Sequence, residues 1–206
     1  MRSTAVLLID EFADRTTPIG QMIDTYLKGQ SQQEDHVIHL LFSANRWEAA
    51  YAMRQLSGMQ SFADKPSASI EEAVEAGTTV IVDRYYYSGC VYSAAKHNPS
   101  LNLSWARHPE EGLPRPDVCL FLELSAAEAA KRGGFGEERY EKKELQDRVR
   151  QLFNDLKSSP DGSDFVTIDA GKSMDEVASD ISEAVDQVLQ KVDSMGTPLR
   201  RITPWS

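Results

Sequence analysis

The chain has 206 residues, a formal net charge of -10 and two cysteines, and its length suits one domain or a domain with a small appendage. The acidic balance, with no dense Lys/Arg block, argues against a nucleic-acid polymer as partner, because polymer binding depends on clustered basic groups. No apolar stretch has membrane-spanning length, and the N-terminal apolar run is too short for a secretory signal. Two cysteines do not make a disulfide framework. For these reasons we expect a cytoplasmic or nuclear protein.

Four short apolar runs predict β-strands, and segments with helical periodicity lie between them. The runs occupy residues 5–9, 78–82, 118–124 and 165–168. They are nearly continuous rather than alternating, which is typical of strands covered on both faces. The predicted helices occupy residues 18–27, 35–56, 88–96, 126–131, 142–157 and 174–192.

The order of these elements predicts an α/β fold with a parallel sheet and helices on both faces. Capping boxes, each a Ser followed three residues later by Glu, mark three helix starts at Ser69/Glu72, Ser125/Glu128 and Ser173/Glu176. The aperiodic segment 57–69 indicates a loop or an insertion, and the tail 196–206 is expected to be irregular. We therefore expect one domain over residues 1–195 followed by that tail.

Charged side chains follow two of the predicted strands, where ligands bind in open α/β sheets. The run 78–82 is followed by Asp83-Arg84-Tyr85, and the first run is followed by Asp10, Glu11, Asp14 and Arg15. A strand-end ion pair is the plainer interpretation of one Asp-Arg pair. Two strands ending in this way favour a site, and a few arginines in a cleft are enough to bind a small anion.

Two further segments suit a nucleotide. Phe42 and Arg46 are four residues apart on one predicted helix, so the ring can stack on a base while the guanidinium meets its carbonyl oxygens. A core Phe with a snorkelling Arg is the alternative. Three glycines in 131–141, flanked by Arg132 and Arg139, predict a flexible connection that suits a phosphoryl-transfer lid, or else a plain solvated loop.

Taken in order, these segments resemble the thymidylate kinase family, particularly its eukaryotic branch. The matching stretches are FADRTTPIG (12–20), HLLFSANRWE (39–48), VDRYYYSGCVYSAAK (82–96), GLPRPDVCLFL (112–122) and KRGGFGEERYE (131–141). The resemblance implies a P-loop NTPase-like fold and phosphoryl transfer from ATP, with Mg2+, to dTMP, giving dTDP and ADP in dTTP synthesis. It also implies a homodimer with small-molecule partners only.

The resemblance assigns roles on the acceptor side residue by residue. Arg15 and Arg84 match the arginines that hold the dTMP phosphate, and Asp83 matches the acidic residue near the metal and the phosphates. Phe42 matches the ring that stacks on thymine, and Arg46 matches the guanidinium that meets the edge of the base. The remaining residues assigned to dTMP are Phe12, Asp14, Gly89, Tyr92 against the sugar, and Tyr140 and Gln146 near base and sugar.

On the donor side, Arg132 and Arg139 match lid positions that neutralise the transferring phosphoryl group. With Asp83 and Arg84 they form the expected catalytic set, and Arg132 and Lys172 are the residues assigned to ATP. The resemblance assigns no protein ligand to the metal in this chain.

The chain departs from the family pattern at its start and in its middle. The phosphate-binding motif G-x-x-x-x-G-K-[ST] does not occur in the sequence. Its closest phrase, Ala170-Gly171-Lys172-Ser173, lacks the leading glycine and indicates a helix start. We therefore expect the family's first strand, P-loop and first helix to be missing from this chain, and residues 49–69 to be an insertion.

Three hypotheses follow from the sequence. The first is a thymidylate kinase whose N-terminal segment is missing. The second is a non-catalytic dTMP-binding or dimerisation module, and the third is a kinase of a different nucleoside monophosphate. Turnover with dTMP, dUMP, UMP and AMP separates the first from the third.

Overall fold

The computed structural model describes residues 6–9, 14–50, 69–125, 128, 143–196 and 198–205. Its contacts divide the chain into two compact units. Unit 1 comprises residues 1–114 and 201–206, and unit 2 comprises residues 115–200. The chain thus leaves unit 1 after Pro114 and returns to it at Arg201.

Unit 1 contains a two-stranded parallel sheet and a set of helices. Strand β1 (Val6–Ile9) pairs with β2 (Thr79–Val82), so that Val6 lies opposite Thr79. The sequence reason is that both runs are short, apolar and rich in β-branched residues. The helices are α1 (Pro18–Leu27), α2 (Asp35–Ala50), α3 (Ile70–Glu75), α4 (Tyr86–Ala94) and α5 (Leu103–Arg107), which is followed by a 3-10 turn at His108–Glu110.

Unit 2 repeats the parallel pairing. Strand β3 (Cys119–Glu123) pairs with β4 (Phe165–Asp169) in register, Cys119 opposite Phe165. Helix α6 (Lys143–Lys157) packs on this sheet through Phe153, whose ring centroid lies 4.8 Å from that of Phe121. A 3-10 turn (Pro160–Asp164) leads into β4, and α7 (Met174–Met195) follows it.

The predicted α/β class and the parallel pairing of its strands are confirmed. Helix α1 has the predicted bounds, and α6 and α7 differ from their predicted ranges by one to three residues. Capping boxes are present at Ser69 and Ser173, as predicted. The predicted helix end at 51–56, most of the helix at 126–131 and most of the insertion at 49–69 lie outside the described residues.

The strands are less covered than their apolar runs predict. Ile81 and Leu122 are each 52% exposed, whereas Val80 and Val82 of β2 are partly buried. The described elements therefore cover one face of β2 better than the other. Within the part of the chain that the structure describes, no helix is long and apolar enough to cross a membrane.

The core of unit 1 lies between α2, α4, α5 and the C-terminal tail. Ile38, Val91, Leu101 and Ile202 are each at most 2% exposed. The C-terminal tail is attached to this core: Ile202 N donates to Leu113 O at 3.0 Å, and Ile202 O accepts from Gly112 N at 2.9 Å. This pairing fixes the segment that follows α5.

Candidate functional site

One face of α2 holds the segment that follows α4. His39, Ser43 and Trp47 recur every four residues, so their side chains lie on one face of the helix. Ser43 Oγ and Trp47 Nε1 both donate to Pro109 O, at 3.2 and 2.7 Å. These bonds seat the 3-10 turn at His108–Glu110 on the helix.

Arg46 lies on the same buried side of α2, one residue before Trp47. It is 2% exposed, and its partner Glu110 is fully buried. Arg46 Nε donates to Glu110 Oε2 at 2.8 Å, while Nη2 donates to Oε1. Burial alone would lower the pKa of Arg46, but the Glu110 carboxylate more than offsets this and leaves that pKa raised. The predicted base-edge residue is therefore a buried, charged guanidinium rather than a snorkelling surface side chain.

Helix α4 approaches Arg46 through a glycine. A Cβ placed on Gly89 would lie 2.8 Å from Arg46 Nη1 and 3.0 Å from Nη2, so a larger residue would displace the guanidinium. Phe42, one turn before Arg46 on α2, is partly buried. The structure thus brings together Arg46 and Gly89, two of the residues predicted to bind dTMP.

His39 completes the polar interior beside this pair. Its Nε2 lies 2.7 Å from Ala106 O, which can only accept, so Nε2 carries the hydrogen. The neutral ring then accepts at Nδ1 from Ser93 Oγ at 2.8 Å. Burial, and secondarily the positive charge of Arg46, lower the pKa of His39 to about 4. His39 is therefore a neutral hydrogen-bonding residue at pH 7.

The loop before α1 carries Arg15 and is fixed to α2. Buried Asn45 donates through Nδ2 to Thr17 Oγ1 at 3.3 Å and to Glu48 Oε2 at 3.0 Å. Thr17 Oγ1 also caps α1 by accepting from Gly20 N. A Cβ on Gly20 would lie 1.8 Å from Asp14 O, so the loop closes directly on the helix.

Arg15 itself is half-buried and pairs with an acidic residue of α1. Its Nη1 donates to Asp24 Oδ1 at 2.7 Å, and Lys28 Nζ lies 2.5 Å from Asp24 Oδ2. Lys28, and then Arg15, lower the pKa of Asp24. Asp14, predicted to bind dTMP, is exposed and accepts from Thr16 N at 2.9 Å.

The end of β2 presents the next two predicted residues. Asp83 and Arg84 are both exposed, and Arg84 has φ +58°, in the left-handed region. Its Cζ lies 5.8 Å from the centroid of the Tyr92 ring on α4. The predicted phosphate and sugar residues Arg84 and Tyr92 are therefore neighbours.

Two of the predicted site residues that the structure describes belong to unit 2. Gln146 is partly buried on α6, and Lys172 precedes α7 and pairs with Asp180 at 2.6 Å. A cleft of about 510 Å³ lies in this unit. The described residues that line it include none of the predicted site residues and are Glu123, Leu124, Ser125, Glu128, Arg150, Thr167 and Asp169.

Four predicted residues, Phe12, Arg132, Arg139 and Tyr140, lie outside the described residues. In the described part of the chain, no group of three or more His, Cys, Asp or Glu side chains could hold a metal ion. The described candidate residues of unit 1 thus lie on α2, on α4 and in the two loops that carry Arg15 and Arg84, and we call this set the arginine-rich face of unit 1.

The residues that hold the predicted arginines were not themselves predicted. Glu110 pairs with Arg46 across 64 residues of sequence, and no local pattern in the HPEEGLP segment indicates that contact. Asn45 and Glu48 flank Arg46 and Trp47 within a stretch already singled out, so the polar side chains next to a predicted site residue are a usable signal.

Comparison with known proteins gives a consistent result. The family profile described as Thymidylate kinase matches residues 6–181. The chain is 43% identical over 180 residues to a thymidylate kinase of Schizosaccharomyces pombe, covering 86% of this chain and 76% of that protein. It is 42% identical to an Arabidopsis thaliana thymidylate kinase, covering 95% of this chain but 64% of that protein.

Human and Candida albicans proteins extend the comparison. The human thymidylate kinase is 41% identical over 170 residues, which cover 82% of this chain and 71% of that protein. A solved structure of the Candida albicans thymidylate kinase superposes with a TM-score of 0.67 at 31% identity, covering 96% of this chain and 85% of that one. The Candida albicans protein is described as having a broad substrate specificity and a novel structural element.

Proposed function

The chain belongs to the thymidylate kinase family of nucleoside monophosphate kinases, and from this premise we propose that it transfers the γ-phosphoryl group of ATP to dTMP. A phosphate oxygen of dTMP attacks the γ-phosphorus, the bond to the β-γ bridging oxygen breaks, and dTDP and ADP are formed. The observation that supports the acceptor assignment is the buried guanidinium of Arg46, which lies one turn after Phe42 on α2 and is held by Glu110.

We propose that dTMP binds on the arginine-rich face of unit 1. The thymine ring stacks on Phe42, a carbonyl oxygen of the base accepts from Arg46, and the sugar contacts Tyr92. Arg15 and Arg84 bind the phosphate, since two guanidiniums offer paired donors that suit phosphate oxygens. Because the chain carries a net charge of -10, these local cations are what make an anionic ligand favourable here.

The remaining predicted contacts complete the proposal. Phe12, Asp14, Gly89, Tyr140 and Gln146 belong to the dTMP site, and Lys172 belongs to the ATP site. Arg132 and Arg139 neutralise the transferring phosphoryl group when the lid segment 131–141 covers it. Catalysis of this reaction depends on such positioning and charge neutralisation rather than on covalent chemistry.

A magnesium ion bound with ATP would neutralise charge on the transferring phosphates. Mg2+ keeps several waters and substrate oxygens as ligands, so one or two protein carboxylates suffice. Exposed Asp83, at the end of β2, fits that requirement.

The test is dTMP-dependent formation of ADP by the purified protein, compared with dUMP, UMP and AMP. We expect the highest turnover with dTMP. Preference for another monophosphate would contradict the substrate assignment. Binding of dTMP without ADP formation would favour the non-catalytic module.

The Arg46→Ala variant tests the acceptor site directly. We expect the Kd for dTMP, measured by titration calorimetry, to rise at least tenfold, because a charge-assisted hydrogen bond contributes about 1.5–3 kcal/mol. The matched control is Lys191→Ala, which also removes one positive charge but at an exposed position of α7. It should leave the Kd for dTMP unchanged. A Kd that does not change in Arg46→Ala would place the base elsewhere.

Three broader features are proposed from the family alone. We expect a homodimer, a single kinase domain over residues 1–195 and a cytoplasmic or nuclear location. Analytical ultracentrifugation of the purified protein and imaging of a tagged copy would test the first and the last.

A further inference from the structure

Glu110 has no role in the reaction described so far, yet it is the fully buried partner of a predicted substrate residue. It binds Arg46 side-on, through Nε and Nη2. This leaves Nη1 as the outer edge of the fork, and Nη1 donates to none of the described residues. A side-on carboxylate fixes the plane of a guanidinium, because two parallel hydrogen bonds prevent rotation.

The other side of the fork is limited by Gly89. The position that a Cβ would occupy there lies 2.8 Å from Nη1 and 3.1 Å from Cζ of Arg46. The guanidinium therefore lies between a carboxylate and the backbone of α4, packed closely against Gly89. The N–H groups of Arg46 Nη1 therefore keep a fixed orientation.

Glu110 is itself fixed before any ligand arrives. The turn that carries it is bound to α2 by the two hydrogen bonds to Pro109 O. The residues just before this turn are also held in place. His39 Nε2 donates to Ala106 O, and Arg107 Nη1 donates to Thr203 O at 2.6 Å. The carboxylate is thus preorganised by four contacts that involve α2 and the C-terminal tail.

We propose that Glu110 is a positioning residue that fixes Arg46 so that its Nη1 donors meet a carbonyl oxygen of the base, and that it thereby sets the preference for thymine over cytosine. This inference rests on the proposed function. Cytosine presents an amino group where thymine has a carbonyl, so a fixed Nη1 would face another donor. A buried donor left without an acceptor is costly, and a guanidinium that cannot turn away has no means of avoiding that cost.

The experiment compares the Kd values of dTMP and dCMP, measured by titration calorimetry, in the native protein and in Glu110→Gln and Glu110→Asp. In Glu110→Gln an NH2 donor replaces one of the two carboxylate oxygens, so the two parallel hydrogen bonds to Nε and Nη2 cannot both form and Arg46 gains freedom. We expect the Kd of dTMP to rise about tenfold and that of dCMP to change less, so that the preference for dTMP falls. Glu110→Asp keeps the charge and should restore part of the preference.

The control is Asp164→Asn, which removes a buried carboxylate of the same kind in unit 2. Asp164 is 2% exposed and accepts from Arg115 Nε at 2.6 Å and Arg200 Nη2 at 2.7 Å. It should lower the unfolding temperature while the dTMP preference stays unchanged. A merely structural Glu110 would behave in the same way, and that result would overturn the proposal.

Two further variants keep the test decisive. Gly89→Ala displaces the Arg46 guanidinium from the side of α4 while Glu110 keeps its charge, and it should lower the preference even if Glu110→Gln fails to fold. In Arg46→Ala, the added Glu110→Gln substitution should have no further effect on the Kd of dTMP. If Arg46→Ala weakens dTMP binding but Glu110→Gln and Gly89→Ala do not alter preference, the positioning role is wrong and the proposed function stands. If Arg46→Ala has no effect, the base contact in the proposed function fails first.

Discussion

At the scale of single residues, Arg84 has the least favourable backbone of the described non-glycine residues. It is the one among them with positive φ, at +58°, a conformation that costs about 1–2 kcal/mol in an L-residue other than glycine. Backbone strain of this kind persists where a function requires the resulting side-chain direction. Here the strain turns the guanidinium towards Tyr92 at the end of β2.

We therefore predict opposite effects of Arg84→Gly on stability and on binding. Glycine adopts this φ freely, although it also gives the unfolded chain more entropy, so the free energy of unfolding should rise by about 0.5–1 kcal/mol. The Kd for dTMP should rise at least tenfold, because the guanidinium proposed to bind the dTMP phosphate is lost. Urea unfolding and calorimetry measure the two quantities. Arg84→Ala loses the guanidinium but keeps the strain, so a stabilised Arg84→Ala would contradict the explanation.

His39 is the second residue whose chemistry gives a measurable consequence, the dependence of stability on pH. In the folded protein its pKa is about 4, below the ordinary value of 6.5. Between these values the unfolded chain binds a proton that the folded chain does not, so stability is full above pH 6.5 and falls as the pH decreases towards 4. The complete loss corresponds to about 3 kcal/mol.

His39→Gln provides the comparison for this prediction. Glutamine can donate to Ala106 O and accept from Ser93 as the neutral ring does, but it does not titrate. Between pH 7 and pH 5 the native protein should lose about 2 kcal/mol more than the variant, measured by urea unfolding. Equal losses in the two proteins would show that His39 is not held neutral in the fold.

At the scale of elements, α2 does more than its amphipathic pattern predicts, because it fixes two loops that carry arginines or their partners. Through Asn45 and Glu48 it binds the loop of Arg15. Through Ser43 and Trp47 it binds the turn of Glu110. The helix is therefore the rigid element that orients both ends of the proposed dTMP site.

Asn45→Ala tests the first of these attachments. The side chain is 1% exposed and bonds to Asp14, Thr17 and Glu48, so its loss should lower the free energy of unfolding by about 1–3 kcal/mol. The looser Arg15 loop should also raise the Kd for dTMP several-fold. Asn154→Ala, at an exposed position of α6, should change neither quantity. A destabilised Asn45→Ala with native affinity would mean that Arg15 does not need this attachment.

The sequence predicts these elements better than it predicts their contacts. Helix α1 begins at the predicted Pro18, because the Thr-Pro start and the apolar spacing are local signals. Helix α4 begins at Tyr86, two residues before its predicted start, and the short α5 was missed, since five residues carry too little periodicity. The arginines were found from strand-end position and family motifs, whereas Glu110 joins Arg46 only through tertiary packing.

At the scale of the whole molecule, the C-terminal tail matters because it returns to unit 1 after the chain has formed unit 2. Ile202 is 2% exposed and pairs with Leu113, and Arg201 Nη2 donates to Glu71 of α3. Arg107 Nη1 donates to Thr203 O, and Arg107 Cζ lies 4.9 Å from the centroid of the Trp205 ring. The last residues of the chain therefore hold the segment that carries Glu110.

Ile202→Ala should reveal this dependence. Truncating a fully buried isoleucine costs about 2–5 kcal/mol through lost burial and the cavity left behind. If the tail holds the turn of Glu110, hydrogen exchange measured by mass spectrometry should accelerate at the amides of residues 103–113, and the Kd for dTMP should rise with it. Met174→Ala removes an apolar side chain that is 89% exposed and should leave exchange and affinity unchanged. A destabilised Ile202→Ala with native exchange at 103–113 would show that the contacts with α2 alone hold the turn, because its bonds to Ser43 and Trp47 would then suffice without the tail.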